Sequence, residues 1–408
     1  MKGPVARMKL RLEEQNMGQI LQFPGRKRLP GRAENLSNLL HALSCQRHRQ
    51  EDVYWLKENA ELLNVLECTR LVPHAAGGDV SDRQGSQTRD LAEISPVALA
   101  PLRTFYQATD RHLCFFRQYY RFILSMAMDL EDLGLVDPAP AGEAGRAEIL
   151  ADWVVQQDLP GHELSDLQRA EARRLLARRG IAADFPGLDA RLHQFMDNTA
   201  QFAVPNRKAA YELTHIVFYL SDYGRRDPAV SRAAIQSLTH VGLLAFLDQD
   251  ADLLSEICIA LRYCQRHPPQ TWEDWLFRQH HSFAIVDAEE ATAPGLHHDG
   301  YHMFLVSSWY QELSTGSGFD RRIPSAALRF RRPDGAGILH QLSEATFRAG
   351  AQGGDWQAMR AQVAAGLSDS GYEILCAAEG SSASFDSFFV DFARHGTVGP
   401  LLARMETA

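Results

Sequence analysis

Apolar residues recur at helical spacing along most of this chain, in segments centred about every 20 to 24 residues, and no alternating strand pattern of comparable strength competes. Residues three and four apart share a helix face, so each segment carries an apolar stripe that another element must cover. Helical hairpins stacked side by side meet that need, with a pair repeat of about 45 residues. The expected fold is therefore all-α: a helical-hairpin array, either an open solenoid or closed into an α/α toroid. One short extended segment is predicted at 326–330.

Four regions follow from the chain's punctuation. Residues 1–34 are basic and hold Pro24, Gly25, Pro30 and Gly31, which predicts a loose N-terminal tail. Region 35–205 is helical with a Gly- and Ser-rich loop at 73–92. Its first helix is expected to be capped by Asn35 or Ser37, and its second spans 52–71. A longer, aromatic-rich helical region is predicted over 96–133, then a polar amphipathic helix ending at Gly180, then one over 188–202. Region 206–318 is the central hairpin region, with helices over 206–224, from Asp227-Pro228 to 247, over 250–263, through the run WEDWLFRQHHSFAIV, and from Tyr301. Region 319–408 carries short helices at 339–348, 356–367 and 382–394, suited to closing one end of the array or to a partner interface.

Composition narrows the function classes. A net charge of -9 gives no general attraction to nucleic acid or anionic lipid, and no apolar run approaches the roughly 20 residues of a membrane span. The N-terminus lacks the apolar core of a secretory signal, so a cytoplasmic protein is expected. Six scattered cysteines without Cys-x-x-Cys predict reduced, buried thiols. No phosphate-binding loop, dinucleotide fingerprint, nucleophile elbow or His-Glu-x-x-His is present.

The strongest chemical candidate lies in 206–224, NRKAAYELTHIVFYLSDYG, where Lys208, Glu212, His215, Tyr219 and Asp222 form a polar stripe beside Leu213, Ile216, Val217 and Leu220. Glu212 and His215 have the Glu-x-x-His spacing that lets a carboxylate and an imidazole reach one metal ion or water. A second cluster, HHDGYH, holds His297, His298, Asp299 and His302. In a closed array the helices near His215, Cys258 and Phe304 face inward together, so that Glu212, His215, Asp222, Glu256 and His302 converge on one cavity. The candidate catalytic residues are then Glu212, Asp222, Tyr219 and Tyr301. The candidate metal ligands are His215, His298 and His302, suited to zinc, iron or manganese. Asp248, Asp250 and Asp252 fail the calcium-loop pattern, with Leu253 and Ile259 at the required Gly and Glu positions, and are read as helix caps and dipole partners. Two functions remain open. One is an enzyme, metal-assisted in one form, acting on a small molecule or modified peptide; the other is a noncatalytic helical scaffold that binds a protein.

The stretches ELTHIVFYLSDYGRRDP, LKENAELLNVLECT and FILSMAMDLEDLG resemble a family of mainly alphaproteobacterial, all-helical proteins of unknown function. The resemblance covers most of the chain beyond the tail. It implies a bacterial cytoplasmic protein and no substrate.

Overall fold

A computed structural model describes residues 30–50, 52–70, 90–288, 299–331, 335–349 and 354–393. Among the described residues the chain is all-α apart from one two-stranded sheet. No helix of these residues is long and apolar enough to cross a membrane.

Helix α1 (Arg32–His41) starts at Gly31, so neither Asn35 nor Ser37 caps it. Asn35 is instead fully buried: its amide donates to the Phe319 carbonyl and its oxygen accepts from Ile323 N at 3.0 Å, tying the first helix to the C-terminal region. Helix α2 (Val53–Thr69) is capped by Asp52. The helical region predicted over 96–133 comprises three helices, α3 (Pro96–Gln107), α4 (Thr109–Phe115) and α5 (Tyr120–Asp132). At the first break the Thr109 hydroxyl bonds the Tyr106 carbonyl at 2.8 Å, competing with continuation of the helix. Helices α6 (Arg146–Gln156) and α7 (Asp166–Ala177) follow, and Gly180 adopts the left-handed conformation expected of a C-cap. The segment 188–202 divides into α8 (Leu188–Met196) and a 3-10 turn over Thr199–Ala203.

Helix α9 (Arg207–Leu220) is capped by Asn206, whose side chain accepts from Ala209 N. Helix α10 (Arg232–Leu247) starts after Ser231 rather than at Asp227-Pro228, because Ser231 accepts from Ala234 N. Asp250 caps α11 (Ala251–Tyr263). Helix α12 (Gln270–Ser282) ends before the apolar run does, since Ala284–Asp287 forms β1, antiparallel to β2 (Leu328–Arg331) in the register Ala284 to Arg331. The β-branched Ile285 and Val286 favour this pairing. Helix α13 (Tyr301–Ser314) is followed by α14 (Leu339–Ala349), α15 (Trp356–Ala364), α16 (Asp369–Ser381) and α17 (Phe385–Ala393). Of these α16 was not anticipated.

Side-by-side packing runs α2 on α5, α5 on α7, α7 on α9, α9 on α11, α11 on α13 and α13 back on α2, so six helices enclose a common interior. Helix α10 packs against α11 from outside, and α12 against α11 and α13. The apolar core is contiguous across both halves, with Trp55, Trp272 and Trp356 fully buried. All six cysteines are free, but only Cys68 and Cys258 are buried; Cys45 and Cys114 are exposed, contrary to the buried thiols expected.

Candidate functional site

Each enclosing helix turns residues three or four apart toward a cavity of about 490 Å³. Helix α2 supplies Glu61, Asn64 and Val65, α5 supplies Phe122 and Ser125, and α7 supplies Glu171, Arg174 and Leu175. Helix α9 gives Tyr211, His215, Phe218 and Tyr219, α11 gives Asp252 and Glu256, and α13 gives His302, Leu305, Val306 and Trp309. Tyr223, just past α9, completes the wall.

That last position requires an unusual turn. Asp222, Tyr223 and Gly224 have φ of 48°, 54° and 83°, all left-handed. For a tyrosine this costs on the order of 1–3 kcal/mol. At Gly224 a Cβ would stand 2.4 Å from the Tyr263 ring, so only glycine fits. The turn lays Tyr223 against the Arg174 guanidinium, 4.3 Å from the ring centroid, and sets Asp222 Oδ1 2.8 Å from Arg174 Nε.

The polar side chains gather where α2, α9, α11 and α13 meet. His302 Nδ1 lies 3.0 Å from Glu61 Oε2, and its Nε2 lies 3.5 Å from Asp252 Oδ1. Tyr211 donates to Asp252 Oδ2 at 2.6 Å. Glu256 Oε2 is 2.6 Å from the Thr214 hydroxyl and 3.9 Å from His215 Nε2. Thr214 has one proton and a second acceptor within reach, the Tyr211 carbonyl at 2.9 Å. A protonated Glu256 satisfies all three groups by donating to Thr214 Oγ1. His215 stacks on Tyr219 with centroids 6.0 Å apart. The His215 and His302 side chains keep 37% and 39% of their surface open, and both line the cavity, so the open surface faces its interior.

Electrostatics separates these groups. Burial, and then repulsion from Asp252, pushes the Glu256 carboxyl up to about 8. Burial also raises Asp252, against the pull of His302. Burial and the neighbouring His302 push His215 down to about 4. Burial opposes charge on His302 too, but the Glu61 hydrogen bond and the Asp252 carboxylate overcome it and hold the imidazolium up to about 9. At neutral pH the cavity thus presents a carboxylic acid, a neutral imidazole and an imidazolium flanked by carboxylates. Titratable groups driven apart in this way mark sites of acid–base chemistry.

The sequence candidates fare unequally. His215, His302 and Tyr219 line the cavity, and Glu256 joins them. Glu212 does not line it: the α9 face turned inward runs through Tyr211, His215 and Phe218, and Glu212 lies beyond its edge, about 60° from His215 on the helix wheel. Asp222 lies behind the wall as the partner of Arg174. Tyr301 stands beside the cluster, with Arg47 over its ring at 5.5 Å and its phenol pushed up by burial and by Glu61. His298 lies outside the described residues, so the three-histidine set has only two members in place. Among the described residues no group of three or more His, Cys, Asp or Glu side chains is arranged to hold a metal ion. Asp299 does not cap α13; it accepts from Phe330 N and pairs with Arg47. Glu61 and Asp252 went unrecognised as site residues. Their signal was a carboxylate on the apolar face of an otherwise well-patterned helix, the place where a charge needs a reason.

The family model of a domain of unknown function, DUF6902, matches residues 17–395. No curated protein and no solved structure matches the chain.

Proposed function

The chain belongs to the DUF6902 family, and from that premise we propose that it is an enzyme whose active site is the interior cavity, working by general acid–base catalysis on a small molecule. The observation that carries this reading is the convergence of Glu61, His215, Asp252, Glu256 and His302 from four helices onto one end of the cavity. Each of these buried groups carries a desolvation cost that an apolar residue avoids, and here no arginine answers Asp252 or Glu256 to make a fixed structural joint.

The roles follow from protonation. Glu256, held as the acid, donates a proton to the substrate. His215, neutral and 3.9 Å from Glu256, accepts one. The Glu61–His302–Asp252 chain fixes an imidazolium that stabilises negative charge developing on the substrate. Tyr211 and Thr214 orient Asp252 and Glu256. Phe218, Tyr219 and Trp309 shape the apolar part of the cavity.

The test is consumption of pooled small metabolites followed by proton NMR, comparing the wild type with Glu256→Gln and His215→Asn. The reading expects a compound consumed by the wild type and turned over about 10²–10⁴-fold more slowly by either variant. Equal consumption by all three proteins would contradict it.

A further inference from the structure

We infer that the cavity takes a small molecule bearing a protonated amine on an apolar frame. The inference deepens the acid–base reading and relies on it for the identity of the site.

Charge at the polar end is unbalanced. The carboxyl groups of Glu61, Asp252 and Glu256 face two cations, Lys57 on Glu61 at 3.7 Å and His302 between Glu61 and Asp252, so Glu256 has no cation of its own and keeps a proton, with neutral His215 beside it. The other charges in the wall are already matched: Glu171 by Arg121 at 2.8 Å and Arg174 by Asp222 at 2.8 Å. Acceptors are left over as well. Asp252 is 7% exposed and its Oδ1 receives no hydrogen bond, His302 Nε2 standing 3.5 Å away as an ion-pair partner, while Glu256 is 3% exposed and only its Oε2 is engaged, by Thr214. Buried acceptors without donors are unusual, and an ammonium brings three N–H donors and the missing positive charge together. A carboxylate ligand meets more negative charge at this end, and the Arg174 guanidinium gives its Nε to Asp222 and its face to Tyr223, with Nη2 making no hydrogen bond but lying 4.0 Å from Glu67 Oε2.

The walls supply the second half of the specificity. Phe218 and Trp309 lie 5.0 Å apart between centroids, and Tyr219 stacks on His215 at the border between the apolar and polar ends. Aromatic faces beside a carboxylate cluster attract an organic cation through both its charge and its frame.

The experiment is isothermal titration calorimetry on the full chain with hexylamine, phenethylamine and tryptamine, each against the alcohol and the carboxylate of the same frame. At least one amine is expected to bind tenfold or more tightly than its alcohol, with its carboxylate weaker than either. Asp252→Asn and Glu61→Gln are each expected to remove that preference, and Glu373→Gln, an exposed charge elsewhere, to leave it unchanged. Should Asp252→Asn fail to fold, Glu61→Gln carries the test. The inference is overturned if no amine exceeds its alcohol, if a carboxylate is preferred, or if the purified protein holds a stoichiometric divalent metal that Asp252→Asn removes. Amine preference is read from binding and the acid–base roles from turnover and imidazole titration, so either can fail alone.

Discussion

Two buried charge clusters in this protein invite comparison. One joins Glu67, Asp129, Asp132 and Asp222 to Arg174, Arg178 and Arg225, where α2, α5 and α7 meet the end of α9. The other is the cavity cluster of Glu61, Asp252 and Glu256 with His215 and His302. In the first, guanidinium groups answer the carboxylates: Arg178 lies 2.8 Å from Asp129 and 2.6 Å from Asp132, and Asp132 is lowered despite its burial, while complete burial raises Asp129 against the pull of Arg178. In the second, Lys57 answers only Glu61, the remaining basic groups are imidazoles, one of them neutral, and the carboxyls Asp252 and Glu256 are raised. Burial of charge is common to both, so burial alone does not identify a site. The difference lies in whether the fold supplies a permanent cation for each anion. Arginine, always charged and forked, makes a fixed structural joint; histidine and mutually repelling carboxyls leave protons free to move near neutral pH.

The largest expected effect tests the structural half. Arg178→Met leaves Asp129, fully buried, without its partner and should lower unfolding free energy by about 3–5 kcal/mol in denaturant titration. Glu256→Gln removes a group that burial already disfavours and should raise stability at pH 8 by about 1–3 kcal/mol while slowing turnover about 10²–10⁴-fold. If both substitutions destabilise alike, the contrast between the clusters is broken.

A pH series sharpens it further. Glu256 is held at about 8 against an ordinary 4.5, so between those values the folded state keeps a proton that the unfolded state has lost, and stability falls as pH rises. His302, held at about 9 against 6.5, gives the same sign from 6.5 to 9. His215, at about 4 against 6.5, gives the opposite sign from 4 to 6.5, so it offsets Glu256 there. Calorimetric melting temperatures should therefore change little from pH 4.5 to 6.5 on account of this site and then decline to pH 9. Glu256→Gln should flatten the decline up to pH 8, and an undiminished slope in that variant would remove Glu256 from the account. The smallest effect belongs to Glu212→Gln, outside the cavity, expected within about 0.5 kcal/mol of wild type and without influence on amine binding.

How much of this could be read from the sequence depended on which physical signal each feature left. Helical periodicity marked nearly every enclosing helix, because an apolar stripe is a local pattern. The inward meeting of His215, Glu256 and His302 was anticipated from the spacing of helix centres. The orientation of α9 was not: the stripe through Glu212 and the one through Tyr211 are adjacent on the helix wheel, and only packing against α7 and α11 decides between them. Asp252 was read as a first-turn dipole partner, a role its position allows, since nothing local shows that its carboxylate turns inward to Tyr211 and His302. Glu61 was passed over inside a helix that core packing explained. The split of 96–133 rested on Thr109 and on backbone at Ala108 and Phe116 that periodicity does not register.

The most direct test of the central claim is an imidazole titration by NMR on histidine-labelled protein, with His215→Asn and His302→Asn used to assign the two rings among the 16 histidines. The account predicts that His215 stays neutral until the pH falls to about 4 while His302 stays charged until about 9. Two rings titrating together near 6.5 would mean that the cavity does not separate its acid from its base, and the assignment of the site would fall.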